Sequence, residues 1–303
     1  MNRSFLVHVA LAFQVRSTGA WFAQSVVRSS NSARVITKQV LDSKVRTTKQ
    51  TRFMASSSSQ SQTSNMANPI VKGPELPPLA TNAKRLFLVR HGEVINPGGD
   101  RAVYYGAQDV SLSPLGEQEA TAAGTYLNQF PLSHVFCSPL KRAVFGAEQV
   151  LEQQQTQNNS LKSPNVIIYD GFKELDRGDW CGKTNDEIGA DQMDLFDACD
   201  ESVIPKNGES YPALKERVLN DLAKVLEEHM EEGDMAAIVS HLQVTRCMLS
   251  EATGIPTSKM VGIKVATASV TCIDYENNGQ PKIVHFQSFK PNVGLEVAKD
   301  GAN

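Results

Sequence analysis

The chain has 303 residues and a formal net charge of −3, but the charge is unevenly spread. Residues 1–72 hold ten basic side chains against the single acid Asp42, a net of about +9, which leaves about −12 on residues 73–303. That acidic body is long enough for one globular domain with a full core and argues against nucleic acid as a partner, and no apolar run reaches bilayer-spanning length, so no membrane partner is expected.

Residues 1–53 read as a targeting leader. Arg3 precedes an apolar run from Phe5 to Phe13, the small residues Ser17 to Ala20 follow, and Trp21-Phe22-Ala23 come next. The stretch beyond is rich in Ser, Thr and Arg and almost free of acid, as transit peptides are. A signal-like start before a transit-like stretch resembles the two-part leader of complex plastids, which makes an organellar, plastid location the expectation and a mitochondrial one the alternative. Ser56 to Ser64 and the proline-bearing Pro74 to Pro78 suggest a disordered linker over 54–82. One domain over 83–290 and a tail over 291–303 complete the division.

Leu86-Phe87-Leu88-Val89, four apolar residues between charged ends, predict a short strand buried on both faces and stopping at Arg90. Val94 to Leu112 is a Gly- and Pro-bearing loop that carries Asn96, Tyr105 and Gly106 as candidates for substrate contact. Ser113-Pro114 reads as an N-cap and first helical residue for a helix to about residue 129. His134 to Cys137 is a second strand. It runs into Ser138-Pro139, read the same way, which puts Arg142 in the first turn of the next helix. A cation there opposes the helix dipole and makes better sense beside a bound anion.

Gln153 to Ser163 reads as a polar loop and Asn165 to Tyr169 as a third strand. Glu174 to Lys183 is a glycine-bearing loop, followed by short helical pieces near Glu187 and over 194–198. Gly208-Glu209-Ser210 opens the longest helix, to about Glu231, with Leu214, Val218, Leu222 and Val225 on its apolar stripe. Met235 to Val239 is a buried strand ending in Ser240-His241, and Leu242 to Thr253 form a helix. Residues 269–275 and 282–286 around Asn277-Asn278-Gly279 read as a hairpin. Strands alternating with helices give an α/β sheet covered on both faces.

Two strands thus end in Arg90-His91 and Ser240-His241, and ligands of such sheets sit beyond the carboxyl ends of the strands. Phosphoryl transfer needs a nucleophile, positive donors for the equatorial oxygens and an acid for the leaving oxygen. His91 fits the nucleophile, Arg90, Arg142 and His241 the clamp, and Glu174 the acid. His134 and His285 are assigned to packing or strand ends, His229 to a solvated helix face, and Trp180 to core or pocket wall. The five cysteines follow no zinc-ligand or disulfide spacing, so reduced thiols are expected.

Leu88 to Glu93, Ser138 to Ala143, Glu174 to Gly182 and Val239-Ser240-His241 resemble, in order, the four blocks of the histidine phosphatase (phosphoglycerate mutase-like) superfamily. The resemblance spans about 84–290 and implies a three-layer α/β/α fold with a mostly parallel sheet and a C-terminal hairpin. It also implies a phosphohistidine on His91, a phosphate pocket of Arg90, Arg142 and His241, Glu174 as proton donor, and neither metal nor cofactor. The expected partner is a small phosphorylated metabolite, a sugar phosphate or phosphoglycerate.

Lys206 to Tyr211 and Leu242 to Cys247 look most like the fructose-2,6-bisphosphatase branch. Yet the Tyr- and Arg-rich stretch expected there is the acidic Ala198 to Val203. Only 67 positions separate Glu174 from His241, shorter than in cofactor-dependent mutases, so the resemblance favours the phosphatase branch. A mutase, a fructose-2,6-bisphosphatase-like enzyme and a catalytically silent binder of phosphorylated ligands are the alternatives.

Overall fold

Leu86, Phe87, Leu88 and Val89 are each at most 3% exposed, so the strand they form has solvent on neither side. The computed structural model, which describes residues 33–35, 72–157, 160–276 and 282–291, places this strand, β2 (Ala83–Arg90), inside a seven-stranded sheet. The others are β1 (Ala33–Val35), β3 (Leu132–Cys137), β4 (Ile167–Tyr169), β5 (Met235–Ser240), β6 (Val270–Glu276) and β7 (Ile283–Phe289). Their order is β1-β4-β3-β5-β2-β6-β7, with β4, β3, β5 and β2 parallel and antiparallel pairs at either side.

The two-residue period of β2 separates the core into two layers. Phe87 and Val89 face helices α1 (Pro114–Leu127) and α2 (Lys141–Gln157), through Ala123, Leu127, Ala147 and Val150. Leu86 and Leu88 face α5 (Tyr211–Lys224) and α6 (Leu242–Thr253), through Leu214, Val218, Val244 and Met248. Two short helices, α3 (Asn185–Ile188) and α4 (Ala190–Asp197), lie between β4 and α5. This is the expected three-layer α/β/α arrangement with a C-terminal hairpin. No helix among the described residues is long and apolar enough to cross a membrane.

Ser113 caps α1, its hydroxyl accepting from Gly116 N–H at 3.0 Å with Pro114 at the first position. α2 starts at Lys141, two residues later than Ser138-Pro139 suggested, because the Ser138 hydroxyl is engaged elsewhere and accepts only from Leu140 N–H. α2 also runs on through Gln157, so the expected polar loop is helical over its first five residues. Glutamines are good helix formers, and Gln154 anchors the turn by donating to Leu127 O at 2.9 Å. The long helix expected from the sequence ends as α5 at Lys224 and continues as a π-turn over Val225–His229. That wider winding turns His229 off the polar face. Its Nε2 lies 2.8 Å from Tyr169 Oη, and its ring packs on Phe136 at 5.3 Å. His134 stacks on Phe136, while His285 joins the buried Arg85–Asp274 pair that ties β2 to β6.

The segment expected as a linker is not all detached. Leu76 packs on the α1 side of the core, and Pro77 O accepts from Arg85 Nη1 at 3.1 Å. Of the leader only 33–35 are described, pairing antiparallel with β4; the rest of it, the linker to residue 71, the hairpin turn at 277–281 and the tail after residue 291 lie outside the described residues.

Candidate active site

β2 and β5 pair in parallel with Arg90 opposite Ser240, so the next residue of each, His91 and His241, leaves the sheet beside the other. Their ring centroids are 5.1 Å apart at an interplanar angle of 60°. Both rings are buried, at 2% and 0% exposure. The chain can turn after His91 because Gly92 has no Cβ: one would stand 2.2 Å from Gly116 O at the start of α1.

The two imidazoles are bonded differently. His91 Nδ1 lies 2.7 Å from Gly92 O, and a carbonyl can only accept, so Nδ1 carries the proton and Nε2 keeps its lone pair. Arg142 Nε donates to that Nε2 at 3.3 Å. His241 Nε2 instead lies 2.7 Å from Ser138 Oγ, and its Nδ1 is buried with no hydrogen-bond partner among the described residues. Burial, then Arg142 and Arg90, hold His91 well below its ordinary value of 6.5. Burial, then Arg142, His91, Arg217 and Arg90, do the same to His241. Both rings are therefore neutral at neutral pH.

Backbone oxygens orient both cations. Arg142 donates from Nη1 to Gln108 O at 2.6 Å and from Nη2 to Gly106 O at 2.8 Å, and its guanidinium lies over the Tyr105 ring. Arg90 Nη1 donates to Val265 O at 2.6 Å. A carbonyl orients a guanidinium without neutralising it, and at Arg142 this leaves positive charge beside His91 for an anion. The N-terminus of α6, whose N-cap is His241, adds the positive end of a helix dipole.

Glu174 is 5% exposed; its Oε1 accepts from Leu175 N–H at 2.8 Å and its Oε2 from Gln243 N–H, inside α6, at 3.3 Å. Arg217 on α5 fastens its loop by donating to Gly171 O, Lys173 O and Glu174 O at 2.8, 2.8 and 3.1 Å. The Glu209 carboxylate accepts from Arg217 Nη2 and Nε at 2.5 and 3.0 Å.

A cavity of about 300 Å³ opens over His91, lined by Arg90, Glu93, Asn96, Asp100, Tyr105 and Thr267 among others. Of the residues expected at the site, Arg90, His91, Asn96 and Tyr105 line this cavity, Arg142 and His241 adjoin His91, and Glu174 and Gly106, with Tyr105, line a separate narrow cleft. Gly106 acts through its carbonyl and a left-handed φ of 44°, and a Cβ there would meet Leu175 O at 2.5 Å. Asn96 lines the cavity, and its amide also holds the loop's own turn, donating to Gly99 O and Arg101 O and accepting from Gly98 N–H.

Ser138, Gln108 and Arg217 are parts of the site that the sequence did not single out. Ser138 and Arg217 could have been suspected only as members of motifs read for helix starts and stripes, while Gln108 acts through its backbone and leaves no side-chain signal. Among the described residues no group of three or more His, Cys, Asp or Glu is placed to hold a metal ion.

The profile described as "Histidine phosphatase superfamily (branch 1)" matches residues 86–288. Phosphoserine phosphatase 1 of Hydrogenobacter thermophilus is 30% identical over 196 residues, covering 63% of this chain and 87% of that protein. The 2,3-bisphosphoglycerate-dependent phosphoglycerate mutase of Cytophaga hutchinsonii is 26% identical over 67% of this chain and 88% of its own length. Among solved structures, the alpha-ribazole phosphatase of Shigella flexneri superposes with a TM-score of 0.56 at 26% identity, covering 70% of this chain and 100% of that one.

Proposed function

The chain belongs to the histidine phosphatase superfamily, branch 1, and from that premise we propose that it hydrolyses a small phosphate monoester through a phosphohistidine on His91. The observation that carries the reading is the pairing of the two imidazoles. Nε2 of His91 presents a lone pair beside Arg142, while Nδ1 of His241 presents an unused nitrogen, the two rings lying 5.1 Å apart.

In the first step His91 Nε2 forms a bond to phosphorus as the ester P–O bond breaks, and Glu174 gives the leaving oxygen its proton. Arg90 and Arg142 hold the equatorial oxygens, and His241 donates from Nδ1. Ser138 sets that donor. Its oxygen accepts from Leu140 N–H, so its own proton is free to go to His241 Nε2 and leave Nδ1–H pointing at the phosphoryl group. In the second step Glu174 takes a proton from water, which attacks phosphorus and breaks the N–P bond. Inorganic phosphate leaves and His91 is restored.

Phosphatase is favoured over mutase by the short interval between Glu174 and His241, only 67 positions, where a mutase needs cover to keep its phosphohistidine from water. The test is to offer 3-phosphoglycerate with a catalytic amount of its bisphosphate, beside a generic aryl phosphate. Net phosphate release is the expected outcome. Rapid isomerisation with little phosphate released would make the protein a mutase, and inertness towards every ester would make it a silent binder.

A further inference from the structure

Arg90 and His91 are both held by one turn that belongs to none of the four sequence blocks, residues 265–269, just before β6. Val265 O accepts from Arg90 Nη1 at 2.6 Å, Ser269 O accepts from Arg90 N–H at 3.1 Å, and Ala268 N–H donates to His91 O at 3.0 Å. Thr267, within the turn, lines the large cavity. Local preference does not give the turn its shape. Ala268 has a φ of 49°, in the left-handed region that a side chain disfavours. A backbone of that kind persists where its surroundings over-determine it.

Those surroundings are the end of β7 and the flank of α1. Ser288, with a φ of 54°, accepts at Oγ from Ala266 N–H at 2.8 Å. Lys290, the residue after β7, donates from Nζ to Thr267 Oγ1 at 3.1 Å and to Glu119 Oε1 at 2.5 Å. Glu119 lies on α1 and is 2% exposed, and its Oε2 accepts from Glu93 N–H at 2.8 Å. Glu93 and Thr267 both line the cavity, so one side-chain pair joins two segments of its wall. The two partners depend on each other. A carboxylate so deeply buried needs a cation, and Lys290 is the ion-pair partner of Glu119 among the described residues.

We propose that Glu119 and Lys290 are a positioning pair for His91 and Arg90, holding the loop after His91 and the 265–269 turn at a fixed separation. Neither touches the reacting atoms; both act through Glu93 N–H, Thr267 and the backbone of the turn. The inference rests on the phosphatase reading and adds the end of β7 to what the reaction needs. Its sharpest consequence is that the bridge is required and the charge is not. Thr267 Oγ1 stands 3.5 Å from Glu119 Oε1. A glutamine at 119 would accept from Glu93 N–H through its amide oxygen and donate to Thr267 Oγ1 through its nitrogen, which replaces the donor that Lys290 supplies and leaves no buried charge.

The experiment measures kcat for a generic aryl phosphate in the full chain, well below the melting temperature of each variant, together with the ¹⁵N spectrum of the imidazoles. Lys290→Met should lower kcat roughly tenfold or more, the scale of a misplaced reacting group, and should displace the His91 signals. Glu119→Gln/Lys290→Met should recover most of that loss. Glu119→Ala/Lys290→Met, equally uncharged but unable to bridge, should stay as low as Lys290→Met. The two double variants carry the comparison even where the single variant, with its unpaired buried carboxylate, fails to fold. An unchanged kcat in Lys290→Met, or equal kcat in the two double variants, would overturn the assignment and leave the pair a staple between β7 and α1. If the wild type cleaves no ester, the phosphatase reading fails by itself and the His91 signals decide the pair. Signals at their wild-type positions in the glutamine double variant and displaced in the alanine one support it, and the same positions in both overturn it.

Discussion

His91 and His241 stand at the ends of adjacent parallel strands, in register, equally buried and exposed to the same two arginines. What separates them is the hydrogen bond that sets each ring's tautomer, beside which His91 Nε2 also accepts from Arg142 Nε at 3.3 Å. The partner of His91 is a backbone carbonyl on its Nδ1, and the partner of His241 is a hydroxyl on its Nε2. A carbonyl consumes the ring's proton and leaves a lone pair to attack; a hydroxyl can supply a proton and leave an N–H to donate. Two identical side chains in nearly identical fields are thus given opposite duties by partners that carry no charge.

The strongest way to break this symmetry of rings is to remove each in turn. His91→Gln keeps a polar side chain of similar reach but removes the nucleophile, and kcat should fall roughly 10⁴-fold or more. His241→Gln removes only a donor, so its loss should be nearer 10²- to 10³-fold. Acid-labile phosphoryl label should be trapped on the His241→Gln protein and not on the His91→Gln protein. Label on the latter would move the nucleophile off His91.

Much of this site was legible because each histidine comes directly after an apolar strand. Leu86 to Val89 and Met235 to Val239 announce buried parallel strands by composition alone, and residues at the carboxyl ends of such strands face the ligand side. The helix from Leu242 to Thr253 was readable from its apolar spacing, with Gly254 in the left-handed region closing it. Side-chain partners at long range were not legible. Ser138 and His241 are 103 positions apart, and Arg217 reaches the Glu174 loop across 43. The π-turn was also hidden. Helical periodicity over Leu214 to Leu226 predicts a straight continuation, and only the pairing of His229 with Tyr169 shows that the winding changes.

A smaller perturbation sharpens the contrast without removing either ring. Ser138→Ala takes away the hydroxyl that orients His241 and should lower kcat/KM roughly tenfold, the scale of one buried hydrogen bond. A purely structural role for Ser138 would produce the same loss, so the deciding readout is the ¹⁵N spectrum of the imidazoles. The wild-type protein should show the Nδ1–H tautomer at both histidines, and Ser138→Ala should mix the tautomers of His241 alone. An Nε2–H tautomer at His241 in the wild type would mean that the ring donates to Ser138, and its role as a phosphoryl donor through Nδ1 would be lost in the neutral state.

The smallest expected effect is on stability against pH, and its sign is set by burial. Both histidines titrate well below 6.5 in the folded chain, chiefly through desolvation and then through Arg142. In the unfolded chain they titrate near 6.5, so below that pH the unfolded state binds more protons and stability falls as the pH drops towards the folded values. Well above 6.5, where the unfolded rings are also neutral, neither ring contributes any slope. His134 is also depressed, by burial and by His229, and adds to the same window, so the wild-type curve alone does not isolate the pair. The comparison needs the double variant His91→Gln/His241→Gln. Between about pH 7.5 and about pH 5.5 the melting temperature of the wild type should drop further than that of the variant, by a few degrees. Parallel curves would mean that the two rings take up protons over the same pH range in the folded and the unfolded chain, and burial would then not be what keeps them neutral.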